Sequence, residues 1–76
     1  MSSIFMQAIV AERYGMRLNV EQLAQALGMA KGTINNQISA GTFPIPTYVD
    51  AGKRWADCRD VAAHLDACRE RARQAA

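Results

Sequence analysis

The sequence predicts a mainly α-helical domain that carries one small β-hairpin. Three observations lead there. Apolar residues recur at helical spacing through most of the chain. Gly28 and Gly41 cut two short helical patterns out of the middle. After Pro44 and Pro46, two short β-favouring runs flank Asp50-Ala51-Gly52. With 76 residues there is room for a single domain spanning the whole chain. A domain this small buries only about 60% of its unfolded surface, so the core is thin.

The first helix is expected within residues 1–15. Ser3 caps it, and Gly15 stops it after Tyr14. Ile4, Phe5, Ala8, Ile9 and Glu12 fall at helical spacing, while Met6, Val10 and Tyr14 make a second apolar stripe. One stripe is enough to cover a thin core. The other, Met6, Val10 and Tyr14, is a candidate surface for self-association, unless both stripes pack within one chain.

Met16-Arg17-Leu18 reads as extended chain. Asn19 caps a helix over Val20 to Leu27, with Glu21 in the first turn where the helix dipole favours an acid. Val20, Leu23, Ala24 and Leu27 form its buried stripe, Gly28 ends it, and Met29 plugs the turn. A third helix starts near Lys31, points Ile34 and Ile38 inward, and ends at Gly41. Phe43-Pro44-Ile45-Pro46 is neither helix nor central strand, because proline has no amide hydrogen to donate. The hairpin follows over residues 47–56, with Tyr48 and Trp55 expected to pack it against the helices. Asp57 or Asp60 caps a last helix over residues 57–75, lined on one face by Val61, Leu65, Cys68 and Ala72.

Several function classes are disfavoured. No apolar run approaches the length of a membrane span, and the start lacks the basic leader of a signal peptide, so a cytoplasmic location and no membrane partner are expected. Cys58 and Cys68, if on one helix, lie about 15 Å apart along its axis, too far for a bridge, and read as reduced thiols. His64 is the only histidine, and the carboxylates have no metal spacing, so neither metal nor cofactor is expected. No Ser-His-Asp or Cys-His set is legible, so the protein is not expected to be an enzyme.

The net charge of +2 is modest, but residues 13–54 are comparatively basic. Within them, residues 19–40 match a helix-turn-helix. That motif needs a small residue midway along its first helix, a residue tolerant of positive φ in the turn, and a branched apolar anchor in its second helix. Ala24, Gly28 and Ile34 stand at that spacing, although an ordinary helical hairpin also accepts Ala and Gly there. With Ile34 and Ile38 inward, the outward face of the second helix carries Gly32, Asn36 and Ser39, flanked by Thr33 and Asn35, with Lys31 at its margin. These are poor helix formers, and solubility alone usually selects Glu, Lys and Arg. Asparagine can pair with an adenine edge through donor and acceptor together. Gly32, without a side chain, lets the helix approach DNA closely. Lys53 and Arg54, at the hairpin tip, suit phosphate or the adjacent minor groove, and Arg17 is a weaker candidate for backbone contact.

The stretch LAQALGMAKGTINNQISAGTFPIP, the hairpin TYVDAGKRW and the segment RDVAAHL together resemble the small winged-helix proteins of the phage excisionase and AlpA type, related to the DNA-binding domain of MerR regulators. The resemblance covers about residues 18–66. It implies a winged helix-turn-helix, here with an extra N-terminal helix, that binds double-stranded DNA for a prophage or other mobile element. Such proteins direct an integrase toward excision, regulate transcription, or do both. An integrase or other regulatory protein, and further copies of the chain in a homo-oligomer or cooperative array on DNA, are the partners to expect. Ala30 departs from the serine usual in that family before the recognition helix, Gly32 from a better helix former, and Gln37 from a residue that is often aromatic. A reading from a different class is an interaction module that binds a host or phage regulatory protein through this fold or its extra helix.

Overall fold

The computed structural model describes residues 4–75 and is mainly helical with a small three-stranded antiparallel sheet. The elements run α1 (Ile4–Tyr14), β1 (Arg17–Leu18), α2 (Val20–Leu27), α3 (Lys31–Ala40), β2 (Tyr48–Asp50), β3 (Lys53–Asp57) and α4 (Cys58–Ala75). The expected cap at Ser3 lies outside the described residues.

Local chemistry sets most boundaries. The Asn19 side chain accepts from the Gln22 amide at 2.9 Å, and Gln22 Oε1 accepts from the Asn19 amide at 3.0 Å. This reciprocal capping box satisfies two of the orphan donors at the start of α2. Gly28 and Gly41 take left-handed backbone angles, φ 67° and 73°, after α2 and α3. In each case the next residue closes the helix end: Met29 N–H donates to Ala24 O at 3.1 Å and Thr42 N–H to Gln37 O at 2.9 Å. At α4 the Asp57 carboxylate accepts from the Arg59 amide at 2.8 Å and pairs with its guanidinium at 2.9 Å. Arg59 holds the Asp57 carboxyl below its ordinary value, against the opposing effect of burial.

The sheet has order β1-β3-β2. The expected hairpin is present, turning at Ala51 and Gly52 with φ 54° and 77°, the sign pattern of a two-residue type I′ turn. The extended Arg17-Leu18 joins it as a third strand, a pairing with no local signal in the sequence. These residues pair with Asp57 and Ala56 of β3, because β3 would otherwise leave one edge of backbone groups unpaired.

Leu18, Leu23, Ile34 and Val61 are fully buried, and Val10, Ile45, Ala56, Cys58 and Ala62 complete the core around them. Two expectations are corrected here. Met6, Val10 and Tyr14, proposed for self-association, form the inward stripe of α1: Val10 is 4% exposed, and Met6 and Tyr14 pack against the core. Ile4, Phe5 and Ile9 are the outward ones, at 83%, 75% and 45% exposure. The reason is α4, which packs along α1 and takes the Met6/Val10/Tyr14 side as its partner. Tyr48 is not a core residue either, since every residue of β2, the outer edge strand, is exposed. Along the expected apolar face of α4, Val61 is buried, Leu65 packs against the core, Cys68 is half-buried and Ala72 is exposed.

Candidate nucleic-acid interface

α2 and α3 are joined by the short turn Gly28-Met29-Ala30, and Ile34 and Leu23 lock them together in the core. With Ile34 buried and Ile38 half-buried, α3 turns Lys31, Gly32, Thr33, Asn35, Asn36 and Ser39 to the outside, and all six are exposed. Among the described residues, the side chains of Thr33, Asn35, Asn36 and Ser39 make no hydrogen bond, so their donors and acceptors face solvent unengaged. Gly32 has nothing within 4 Å of where a Cβ would stand, and it does not use the left-handed region. The protein's own packing therefore gives no reason for glycine at this position. Ala30 precedes α3 with no side-chain cap bond, which leaves the first amides of this helix dependent on solvent or a ligand.

The hairpin lies beside the N-terminal end of α3. Between them is an open cleft of about 320 Å³, lined by Asn19 and Glu21 at the start of α2, Lys31 and Asn35 on α3, and Lys53 and Arg54 on β3. The tertiary structure thus brings two sequence-distant pairs of candidate residues to one concave surface. Among the described residues, three cations and a single carboxylate line it, a balance that favours an anion. The cations differ in freedom. Arg54 is half-buried, and its guanidinium donates at 2.9 Å to Thr47 Oγ1, which lies outside the cleft. Lys31 reaches Glu21 at 3.3 Å across the surface. Lys53 has no ion pair among the described residues.

Arg17 lies outside this cleft. Its guanidinium stacks on the Trp55 ring, 4.0 Å from the centroid, and donates to Asp50 Oδ2 at 2.7 Å. Trp55 Nε1 donates to Asp50 O at 3.0 Å, so one edge residue of the hairpin receives both groups. The bond to Asp50, with Tyr48 second, raises the Arg17 pKa above its ordinary value. Its charge is compensated within the protein, and its evident role is to tie β1 to the hairpin. Neither acid partner, Glu21 or Asp50, was singled out from the sequence as part of the site. Asp50 had a local signal, since it faces Lys53 across the turn. Glu21 had none, being ten residues from Lys31.

Among the described residues no group of three or more His, Cys, Asp or Glu side chains converges as a metal site, and no helix is long and apolar enough to cross a membrane. His64 Nε2 is 3.5 Å from Cys68 Sγ, and Arg71 donates to the same sulfur at 3.2 Å. Burial, and secondarily the Arg71 charge, lower the His64 pKa from its ordinary value. No protein-family model, curated protein or solved structure matches the chain.

Proposed function

We propose that this protein is a cytoplasmic, non-enzymatic, sequence-specific binder of double-stranded DNA with a winged helix-turn-helix fold. α2 and α3 are the helix-turn-helix, and the β2–β3 hairpin is the wing. The observation that carries the reading is the unengaged polar face of α3 standing next to a cation-lined cleft shared with the wing. The helix face has the chemistry of base readout and the cleft the chemistry of phosphate binding. α3 enters the major groove with Gly32, Thr33, Asn35, Asn36 and Ser39 toward the bases, while Lys31, Lys53 and Arg54 take backbone phosphates. The biological setting that fits is a prophage or other mobile element, where the protein acts as an excisionase, a transcription regulator or both.

Salt dependence tests this directly. On the selected site, three phosphate contacts give a slope of log K against log salt of about −2.7, so affinity falls by about 40-fold between 50 and 200 mM salt. Lys53→Ala combined with Arg54→Ala makes the slope shallower by about 1.8. Recovery of bound genomic DNA then locates the site at an attachment sequence or a promoter. Failure to bind any duplex at low salt refutes the proposal. The exposed Ile4, Phe5 and Ile9 favour a second reading, in which a protein partner docks on α1.

A further inference from the structure

Resting on the DNA-binding reading, we infer that Glu21 is a specificity-determining residue: an internal counterion that keeps Lys31 from contributing to sequence-independent phosphate binding. Among the described residues, Glu21 is the only carboxylate lining the cleft, where it accepts from Lys31 Nζ at 3.3 Å beside Lys53 and Arg54. The fold has little need of it. The start of α2 is already capped by Asn19 and Gln22, and the Glu21–Lys31 pair is exposed on both sides, a geometry that contributes little to stability. Its larger effect falls on whatever enters the cleft. A phosphate approaching Lys31 competes with and is repelled by a carboxylate of the same charge sign, and it meets that carboxylate whatever the DNA sequence.

The consequence differs between two kinds of complex. On arbitrary DNA only the backbone attracts the protein, and Lys31 stays with Glu21. On the correct site, base contacts from α3 hold the helix in one register against the groove. Lys31 is then carried to a phosphate, and Glu21 is left to solvent, where it is already well hydrated. Glu21 therefore opposes non-specific binding more than specific binding, which widens the ratio between them.

The test compares Glu21→Gln with Glu12→Gln. Both remove one negative charge, but Glu12 is exposed on α1 in a separate groove with Ile9 and Gln25. Binding of the full chain is measured on its selected site and on a scrambled duplex, across a salt series, with helix content checked by circular dichroism. For Glu21→Gln, affinity for the scrambled duplex rises by about two- to fivefold at low salt, and the scrambled-duplex slope steepens by up to about 0.9, the value of one full phosphate contact. The slope on the selected site stays unchanged. Glu12→Gln leaves both slopes at the wild-type values, and in a Lys31→Gln background the effect of Glu21→Gln on the slope disappears. A folded Glu21→Gln protein whose scrambled-duplex slope equals that of the wild type or of Glu12→Gln overturns this inference alone. A wild type that binds no duplex overturns it together with the DNA-binding reading.

Discussion

Gly32→Ala separates what the fold needs from what a ligand needs. Gly32 is the second residue of α3, it is exposed, and an added Cβ meets nothing within 4 Å. For the protein alone, alanine is the better residue, because glycine loses more backbone entropy in a helix. The gain is about 0.5–1 kcal/mol. For a domain of this size, 1 kcal/mol moves the melting temperature by about 4–8 °C, so thermal unfolding by circular dichroism resolves the change. For the complex the sign reverses. If α3 lies against DNA at Gly32, the methyl group holds the helix off the groove and disengages an asparagine from its base. One lost bidentate pair costs about 1–3 kcal/mol, equivalent to about five- to 150-fold in affinity. The expected signature is thus a protein that melts higher and binds its selected site more weakly. A variant that melts higher and binds equally or more tightly refutes close approach of the helix at this residue.

Asn35→Ala and Asn36→Ala each relax base preference at one or two positions, costing about 1–3 kcal/mol on the selected site. Binding to scrambled duplex hardly changes, and an equal loss on every sequence removes these residues from readout. Val10→Asp puts an unpaired charge among core residues and costs about 3 kcal/mol or more. Ile9→Asp, on the open side of α1, costs less than about 1 kcal/mol, and denaturant unfolding that ranks the two equally contradicts the inward assignment of Val10. His64 imposes a pH dependence. Its folded pKa lies below the ordinary 6.5, so the unfolded chain binds the proton first as pH falls. Stability is therefore full above that value and declines as pH drops from it toward the folded pKa. Chemical denaturation from pH 7.5 to 5 measures the decline, which His64→Gln abolishes, and a profile identical in the variant assigns the titration elsewhere.

Much of the local architecture was legible because its causes are local. The side chain of Asn19 can reach only the amides just ahead of it. Gly28 and Gly41 tolerate the left-handed angles that end α2 and α3, and Ile34 and Ile38 recur at the helical period. The outward face of α3 follows from the same period. Asp50-Ala51-Gly52 between two short β-favouring runs marks the hairpin turn without reference to the rest of the chain.

The remaining features depended on partners far away in sequence. Periodicity found two apolar stripes on α1, but only the approach of α4 decided that Val10 faces in and Ile4, Phe5 and Ile9 face out. Arg17 is a cation in the sequence, yet the strand pairing of β1 with β3 brings it to Trp55 and Asp50 and takes up its charge. Lys31 and Asn35 share one cleft with Lys53 and Arg54 because the hairpin folds back beside α3, and Glu21 enters the same cleft from α2. Helical and turn preferences act over a few residues, so the sequence by itself determined the elements and their exposed chemistry. Burial and charge pairing act between surfaces that meet only after folding, so the tertiary structure alone decided which stripe became core and which cations stayed free.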